Sequence, residues 1–471
     1  MKKKIVSVML ASVLAISTLA GCSTNQSSEV ATSDAASSTT NQIAETSKNE
    51  TTTQTSTSSE PVEIEFWHAL GGDLGNSIQS IIDSYNASQS EYVVKPVVIG
   101  SYSEIDEKLQ AAYVAKNVPA LVAGGSQDTF YQKDLVENFE DYMTSDYNQD
   151  DIVGGFLDAA TRDRKMVFAP AYGTSQVLYY NKAVLDEAGY TETDLSNWQS
   201  LESLKDKVVG INTGKGQIQY VWEPMWGYEN MVDVVSSAGG KFISEDGKTV
   251  LINDATWVSI FDQFRKWINE DKSMTIHSGG QGWEYWYKTM DDWVYGTSLG
   301  YTGSPGDYTI ALEAITKAKA DGYKTEFAVA MQPGWEDNDP APYFSSVMYY
   351  IPKCSNLTEE QKKGAADFVT YATNTDNTAK FSMETGYAAV RNSVLDLADY
   401  QTYLESNPDA DVALKQIDLY AVPEFVDPTG GAITTALKDA VDKIQIENVS
   451  AQEALDYAAK EAQKALDKVN Q

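Results

Sequence analysis

The residue types that most often carry catalysis are scarce in this chain. Its 471 residues include two histidines, His68 and His277, and two cysteines, Cys22 and Cys354. The chain therefore has almost no histidines from which a histidine-based metal site or a serine–histidine–aspartate triad could be built. We predict a protein that is not an enzyme and that binds no metal or cofactor. A glycosidase, which needs two carboxylates facing each other across a cleft, remains a remote alternative because the chain has 68 acids.

Aromatic residues are abundant instead, and they cluster in two segments. Residues 219–228 read QYVWEPMWGY, and residues 283–301 read WEYWYKTMDDWVYGTSLGY. Aromatic rings cover the flat C–H patches of sugars, while carboxylates, amides and hydroxyls bind sugar hydroxyl groups. The two segments therefore favour a carbohydrate site with these candidates: Trp222, Trp226, Trp283 and Tyr301. A core position is the alternative for each, and we predict that at least one of Trp286 and Trp293, which lie at helical spacing, is core.

One acidic turn resembles a metal-binding loop only in part. Asp146, Asn148 and Asp150 are spaced like the first three ligands of a calcium loop. The sixth position is Asp151 rather than glycine, and the twelfth is Leu157 rather than glutamate. We therefore predict a solvated acidic turn, with a calcium site as the alternative.

Charge and length limit the partners and the architecture. The formal net charge is −33, and such an acidic chain repels nucleic acids and anionic membrane surfaces. We therefore predict no nucleic acid partner. A chain of 471 residues is longer than one hydrophobic core usually holds, which predicts two lobes.

The first residues indicate where the protein resides. Residues 1–21 have the basic start, short apolar run and small final residues of a secretory signal. The signal runs into Leu-Ala-Gly-Cys, which resembles the bacterial lipobox and implies cleavage before Cys22 and attachment of a lipid to its sulfur. An ordinary signal peptide with a chance cysteine is the alternative. Residues 22–60 are almost entirely polar or small, which predicts a disordered tether that holds the body at the outer face of the cell membrane.

After the tether, predicted strands and helices alternate. Residues 62–66 alternate in polarity like a half-buried strand, and apolar residues recur at helical spacing over residues 74–85. The same order continues to residue 123 and predicts a parallel sheet with crossover helices. Ligands of such sheets bind beyond the carboxyl ends of the strands, which nominates three loops: residues 68–73, 100–103 and 124–128. Ser450 and Glu453 have the spacing of a cap that opens a last helix.

Five segments fall in the order found in family 1 extracellular solute-binding proteins, the receptors of carbohydrate-type ABC importers. They read EIEFWHALGGDLGNSIQSIIDSYNAS, VPALVAGG, VLYYNKAVLDEAGY, ETGYAAVRNSV and NVSAQEALDYA. The chain is thus similar to that family over residues 62–468, and its opening resembles the glycerol-3-phosphate-binding members. The resemblance implies an α/β, periplasmic-binding-protein-like fold of two hinge-linked lobes with the ligand cleft between them. It assigns residues 61–172 and 313–343 to the N-terminal lobe, and residues 173–312 and 344–471 to the C-terminal lobe.

The same resemblance implies ligand-binding residues on the nominated loops and at the hinge. In chain order they are Trp67, His68, Tyr102, Ser126, Asp128, Thr174, Ser175, Tyr301, Gly303, Ser304 and Arg391. Thr174 and Ser175 match hinge residues, for which hinge bending alone is the alternative role. A loop hydrogen bond is the alternative role for His68, and a structural role is the alternative for Arg391.

One departure from the family pattern bears on the ligand. Glycerol-3-phosphate binders place an arginine before the final helices, whereas residues 424–433 here read EFVDPTGGAI. A bidentate phosphate clamp therefore lacks its donor, although backbone amides at helix N-termini also bind anions. We predict a monomeric lipoprotein that captures a sugar or oligosaccharide and delivers it to the membrane subunits of an ABC importer. A receptor for glycerol-3-phosphate or a glycerophosphodiester is the alternative, and a surface adhesin is a remote one.

Overall fold

The structure, a computed structural model, describes residues 60–224, 227–277 and 284–470. The predicted signal peptide, the lipidation site at Cys22, the tether up to residue 59, and the candidates Trp226 and Trp283 lie outside the described residues. Within the described part, no helix has both the length and the apolar composition needed to cross a bilayer.

Strands and helices alternate at the start of the described chain, and runs of helices separate the later strands. The strands are β1 (Val62–His68), β2 (Tyr92–Val98), β3 (Leu121–Ala123), β4 (Thr161–Arg162), β5 (Lys165–Met166), β6 (Ala169–Thr174), β7 (Val177–Asn181), β8 (Gly300–Gly303), β9 (Phe327–Ala330), β10 (Tyr343–Tyr350) and β11 (Val422–Pro423). The helices of the first half are α1 (Gly72–Ser88), α2 (Tyr102–Ala115), α3 (Gln127–Gln132), α4 (Gly154–Ala160), α5 (Lys182–Glu187), α6 (Trp198–Ser203), α7 (Lys205–Val208) and α8 (Gly227–Ser237). Those of the second half are α9 (Ala255–Asn269), α10 (Glu284–Val294), α11 (Tyr308–Ala320), α12 (Glu359–Ala372), α13 (Thr375–Thr385), α14 (Ala398–Ser406), α15 (Val412–Leu419), α16 (Ala432–Gln445) and α17 (Ala451–Val469).

The larger sheet contains the predicted parallel strands. Its order is β11-β10-β3-β1-β2, with β6 joined to β10, and β1 pairs in parallel with both β2 and β3. Ile64, Phe66 and His68 of β1 point into the core, while the residues between them are partly or fully exposed. This alternation explains why the strand could be read from its sequence. The parallel arrangement does not extend to β10, which runs antiparallel to β3 and β6.

A smaller, three-stranded sheet lies in the second half of the fold. Its order is β8-β7-β9, and both pairs are antiparallel. All five residues of β7 are buried. Around this sheet, Tyr179 of β7 and Trp293 of α10 belong to one apolar cluster, so the smaller sheet is covered by helices rather than by solvent.

Two principal hydrophobic cores define the two lobes. The first contains buried side chains from residues 64–172, from residues 344–390 and Ile417. The second contains buried side chains from residues 178–335 and 433–466. Each lobe therefore combines a sheet with helices packed on it, which confirms the predicted two-lobed α/β class.

The structure corrects the predicted lobe boundaries. Residues 313–343 are predicted in the N-terminal lobe, yet β9 pairs with β7 in the smaller sheet. Residues 344–471 are predicted in the C-terminal lobe, yet β10 pairs with β3 and β6 in the larger sheet. The chain instead crosses between β6 and β7, between β9 and β10, and again before α16. Strand pairing between distant segments leaves no local sequence pattern, which is why the boundaries were missed.

Candidate ligand-binding cleft

A cavity of about 620 Å³ lies between the two cores. Its lining comes from both lobes and from the segments that join them: Leu74, Tyr102, Thr174, Ser175, Gln176, Tyr228, Glu229, Val232, Asp233, Phe242, Trp286, Ser304, Gly306, Asp307, Tyr343, Ser345, Tyr387, Glu424, Phe425, Thr434 and Lys438. A concave, largely apolar cavity with a few convergent polar groups is the usual form of a small-molecule site.

An aromatic wall faces the cleft from the first lobe. Tyr102 opens α2, and its hydroxyl lies 2.7 Å from that of Tyr172, where either oxygen can be the donor. The ring of Tyr172 packs on that of Tyr387, with 5.0 Å between centroids. Gly124 makes room for Tyr102, because a Cβ at Gly124 would lie 2.4 Å from the tyrosine ring. Three rings are thus held in one surface, with two of them, Tyr102 and Tyr387, lining the cavity.

The crossing between β6 and β7 supplies hydroxyl groups at the floor of the cleft. The Thr174 and Ser304 hydroxyl oxygens lie 3.2 Å apart. Ser175 Oγ donates to the carbonyl of Tyr343 at 3.2 Å and accepts from Gln416 Nε2 at 2.9 Å. The two chain crossings are therefore tied to each other by side-chain hydrogen bonds at the place where the lobes must hinge.

A buried carboxylate and an indole face the cleft from the second lobe. Asp307 is buried, Tyr301 Oη donates to its Oδ2 at 3.3 Å, and a hydrogen bond from Trp286 also reaches it. Burial raises the pKa of Asp307 to about 7, and the hydrogen bonds from Trp286 and Tyr301 oppose that rise. The pair offers a sugar an aromatic face beside a hydrogen-bonding carboxyl group.

Acidic groups outnumber basic groups along the cleft. Besides Asp307, the described lining contains three acids and one lysine: Glu229, Asp233, Glu424 and Lys438. Lys438 Nζ lies 3.5 Å from Glu229 Oε1 and 5.1 Å from the centre of the Tyr228 ring. Burial raises the pKa of Glu424, while a hydrogen bond from Ser345 opposes the rise. The cleft therefore contains more acidic than basic side chains, and its lysine already faces a carboxylate.

Asp233 has a structural task at the same surface. Its Oδ1 accepts from the backbone N–H of Tyr343 at 2.8 Å, and its Oδ2 accepts from Gln332 Nε2 at 2.6 Å. The backbone N–H of Gln332 in turn donates to Gln416 Oε1 at 2.6 Å. This chain of hydrogen bonds joins helix α8 to the hinge, so Asp233 positions the cleft wall as well as lining it.

A second cavity of about 510 Å³ adjoins the first and shares Glu424 and Phe425 with it. The predicted residues Ser126 and Asp128 lie here. Ser126 donates from its N–H and its Oγ to Asp106, both at 2.7 Å, and Asp128 Oδ1 lies 2.7 Å from Arg162 Nη2. Both side chains are already engaged within the protein, and they extend the cleft outward rather than line its centre.

The structure places four predicted residues at the cleft itself: Tyr102, Thr174, Ser175 and Ser304. Others are buried in the lobes. Trp222 is 0% exposed and its Nε1 donates to Thr302 Oγ1 at 3.1 Å, and Tyr301 is fully buried and stacks on Tyr179 at 5.1 Å. A Cβ at Gly303 would meet the ring of Tyr301 at 2.5 Å, so this glycine packs behind the site. We correct these predictions, because none of these three residues lines the cleft cavity.

Three further predicted residues do not line the cleft either. Trp67 donates from Nε1 to Glu65 Oε1 at 2.6 Å along the same strand. His68 is buried, accepts from the N–H of Leu70 at 3.2 Å, and burial lowers its pKa to about 4. The guanidinium of Arg391 is buried, donates to the carbonyl of Thr373 at 2.7 Å and lies over a tyrosine ring. The alternative structural roles of His68 and Arg391 are thus the ones observed.

Several cleft residues were missed by the sequence prediction: Tyr228, Phe242, Trp286, Asp307, Tyr387, Glu424 and Lys438. Tyr387 lies in the same Gly-Tyr-x-x-x-Arg segment as Arg391, so the motif was informative but its tyrosine was the ligand candidate. Trp286 and Trp293 lie on one helix, α10, and Trp293 is core as predicted. The helical spacing of apolar residues could not by itself show which of the two tryptophans faces the cleft.

One segment matches a hydrolase pattern but not its geometry. Residues 296–300 read GTSLG, which has the form G-x-S-x-G. Ser298 is fully buried, and its Oγ donates to the carbonyl of Gly300 at 2.8 Å. The segment leads from α10 into β8, whereas a nucleophile elbow leads from a strand into a helix and exposes its serine. The pattern is therefore a chance match.

Comparison with known proteins agrees with this architecture. A family model described as bacterial extracellular solute-binding protein matches residues 80–409. The sn-glycerol-3-phosphate-binding periplasmic protein UgpB of Yersinia pestis bv. Antiqua (strain Antiqua) is 24% identical over 382 residues, which cover 78% of this chain and 83% of that protein. UgpB from Mycobacterium tuberculosis in complex with glycerophosphocholine has a TM-score of 0.70 at 22% identity and covers 88% of this chain and 100% of that one.

A sugar-binding protein has the same TM-score at a lower sequence identity. The sugar-binding protein MalE from Xanthomonas citri has a TM-score of 0.70 at 16% identity, and the match covers 86% of this chain and 98% of that one. The resemblance inferred from the five sequence segments is thereby confirmed. The family model covers most of the described body, and this chain belongs to the bacterial extracellular solute-binding protein family.

Proposed function

We propose that this protein captures a carbohydrate, a sugar or oligosaccharide, and delivers it to the membrane subunits of an ABC importer. The observation that carries the proposal is the lining of the cleft. Aromatic rings on both walls surround hydroxyl and carboxyl groups, and the one lysine of the described lining faces a carboxylate. Rings that cover C–H patches and oxygens that bind hydroxyl groups are what a neutral sugar requires.

The segment before the final helices, where glycerol-3-phosphate binders have an arginine, also favours a neutral ligand. Residues 424–431 do border the cleft cavities, but they contain no arginine or lysine. The N-terminal amides of α16 are occupied, because Thr434 N donates to Asp427 Oδ2 at 3.0 Å and Ala432 N donates to Thr429 Oγ1 at 3.1 Å. A bound anion would therefore have to displace a carboxylate from that helix N-terminus.

Glycerol-3-phosphate or a glycerophosphodiester is the second candidate ligand. Two observations favour it: the likeness to the UgpB proteins, and the position of Lys438, whose ammonium borders the cleft. Lysine binds phosphate as a point charge without the fork of arginine. The lysine would first have to leave Glu229.

Delivery to a transporter rests on motion of the lobes. Ligand must bind the closed form better than the open form, since only a difference in affinity shifts the equilibrium. The crossings between the lobes, with Thr174 and Ser175 at their centre, are the place where such a hinge would bend. We further propose that the protein acts as a monomer without catalytic activity, anchored through a lipid on Cys22 and held off the outer face of the membrane by residues 23–60.

A thermal-shift screen tests the proposal, because a ligand that binds only the folded state raises Tm. The purified protein is screened against neutral mono- and oligosaccharides, glycerol-3-phosphate and glycerophosphodiesters. Shifts with sugars alone support a carbohydrate receptor. A shift with glycerol-3-phosphate or a glycerophosphodiester alone overturns it in favour of the second candidate.

Two variants then separate the candidates at the site. Trp286→Ala removes an aromatic face and is expected to lower the affinity for a sugar at least tenfold. Tyr457→Ala, which removes an exposed ring on α17, is the control. Lys438→Gln is expected to leave sugar affinity within about twofold and to abolish phosphate binding. Equal sugar affinity in Trp286→Ala and Tyr457→Ala would refute the stacking role.

A further inference from the structure

A second group of polar side chains lies outside the cleft, where three separate segments of the second lobe meet. Glu223 follows the buried Trp222, and its backbone N–H donates to the carbonyl of Gly300 at 3.0 Å. His277 belongs to the loop after α9, and Asp292 lies on α10. None of the three charged side chains lines the cleft cavity.

The three side chains converge on one point. His277 Nε2 lies 2.7 Å from Asp292 Oδ2 and 3.8 Å from Glu223 Oε2. One ligand atom from each residue lies within 4.8 Å of the other two. The side chains of His277 and Asp292 are 30% and 26% exposed, so water has access to the point of convergence. The geometry is that of an open three-ligand site rather than of a surface acidic patch.

Glu223 gives an independent indication that something is bound there. The residue is 0% exposed, and its carboxylate lies against the side chains of Thr289 and Asp292, without a hydrogen bond of full geometry to either oxygen among the described residues. Burial, together with the nearby charge of Asp292, raises the pKa of Glu223 well above its usual range. A cation bound between Glu223 and Asp292 would stabilise the ionised form of this buried carboxyl group.

We propose that Glu223, His277 and Asp292 bind a divalent transition-metal ion, with zinc as the best match. One imidazole and two carboxylates suit zinc, whereas calcium and magnesium prefer oxygen ligands alone. A tetrahedral zinc at about 2.0 Å from each ligand keeps the ligand atoms about 3.3 Å apart, so the two distances from His277 Nε2, 2.7 Å to Asp292 and 3.8 Å to Glu223, would each change by only about 0.5 Å. Water supplies the fourth ligand.

The ion would join three segments that lie far apart in the sequence. One of them, α10, carries Trp286 into the cleft two turns away from Asp292. The proposed metal thus stabilises the second-lobe wall of the cleft without touching the ligand. It revises the expectation from the sequence that two histidines leave no material for a metal site, because one histidine suffices when two carboxylates converge on it.

Zinc titration of the chelator-treated protein tests the proposal. Equilibrium dialysis against buffered zinc is expected to give one tightly bound ion per chain, with a saturable rise in Tm. His277→Ala and Asp292→Asn are each expected to weaken zinc binding at least about 100-fold. Asp291→Asn, on the neighbouring position of α10, is the matched control and should bind zinc like the wild type.

A Glu223→Gln variant distinguishes a metal site from a structural cluster. The substitution keeps the shape of the side chain and replaces a ligand oxygen, so the variant is expected to fold like the wild type and to lose the zinc-dependent rise in Tm. Cobalt provides a second readout, since a tetrahedral Co²⁺ complex at this site would absorb visible light in the wild type and not in Asp292→Asn. A protonated His277 that bridges the two carboxylates without metal would give no zinc response in any variant. That result, or equal zinc responses in the wild type, Asp292→Asn and Asp291→Asn, overturns the proposal.

Discussion

Asp307 is the cleft residue whose ionisation the fold controls most directly. Its pKa in the folded protein, about 7, is raised from the ordinary value of 3.8. The folded state therefore retains a proton that the unfolded chain has lost, and stability falls as the pH rises from about 4 through about 7. We expect Asp307→Asn to be more stable than the wild type at pH 8 by up to about 4 kcal/mol, and by less than about 1 kcal/mol at pH 4.

Urea unfolding of both proteins at the two pH values measures this difference. The measurement at pH 4 is the internal control, because the wild-type carboxyl is then protonated in the folded state. Equal stability at pH 8 would mean that Asp307 is ionised and that its hydrogen bonds outweigh the cost of burial.

Trp222 was a ligand candidate, whereas for Trp286 and Trp293 the sequence predicted only that at least one is core; in the structure Trp222 is core and Trp286 borders the cleft. Trp222 is fully buried and hydrogen-bonded to Thr302, so Trp222→Ala is expected to destabilise the protein by about 3–5 kcal/mol through the cavity it leaves. The fraction that remains folded should bind ligand with wild-type affinity. Chemical denaturation and calorimetry on the folded variant measure the two effects separately. A variant with normal stability and weakened binding would restore the role that the sequence predicted for Trp222.

The candidate residues differ in how far the sequence could identify them. Tyr102, Thr174 and Ser175 were found because they follow strand ends and the hinge, positions that the fold class itself makes functional. Trp222 and Tyr301 were misassigned because aromatic residues serve cores and ligand sites equally well. The role of Lys438 depends on how α16 packs against the other lobe, which no local pattern encodes.

The turn after β3 shows how an element positions a ligand contact. Gly124 has a φ of +84°, and a Cβ there would lie 2.4 Å from the ring of Tyr102. Gly189 has a φ of +82°, but a Cβ there would meet nothing within 4 Å. Both Gly→Ala changes introduce the same backbone strain of about 1–2 kcal/mol, while only Gly124→Ala displaces Tyr102. We therefore expect Gly124→Ala to weaken ligand binding and Gly189→Ala to leave it unchanged.

Ligand titration and melting curves of the two glycine variants check this expectation. Similar losses of stability with different losses of affinity would locate the effect in the position of Tyr102. If both variants bind alike, the ring of Tyr102 either adapts or does not contact the ligand.

The elements that could be predicted are those with local signals. Strand β1 alternates, and helix α17 begins at Ser450, whose side chain accepts from the N–H of Glu453 as its sequence spacing predicted. Strand β10 illustrates the limit, because it lies more than 200 residues after β3 and yet pairs with it in antiparallel orientation. Only the folded chain shows which lobe receives such a strand, so the lobe boundaries could not be placed from the sequence.

One chain of hydrogen bonds links the cleft wall to the chain crossings between the lobes. Asp233 reaches the hinge through Gln332 and Gln416, and Ser175 receives the end of that chain. A ligand that contacts both walls therefore acts on the same surface that holds the crossings in register. If ligand binding closes the lobes, as proposed, the ligand must bind the closed position better than the open one.

The charge of the whole molecule provides a test that is independent of any single contact. With a net charge of −33 and acids along the cleft, the protein repels an anionic solute at long range, and salt screens that repulsion beyond about 10 Å at 0.1 M. A neutral sugar feels no such field, so its Kd is expected to change less than about twofold between 20 mM and 300 mM NaCl. Glycerol-3-phosphate would bind more tightly as salt is added, unless its main contact were the ion pair with Lys438, which salt weakens.

Isothermal titration at both salt concentrations measures this dependence, with potassium chloride as a check for ion-specific effects. A severalfold change in the Kd of a neutral sugar would contradict this expectation and would show that the charges of the cleft contribute to its binding.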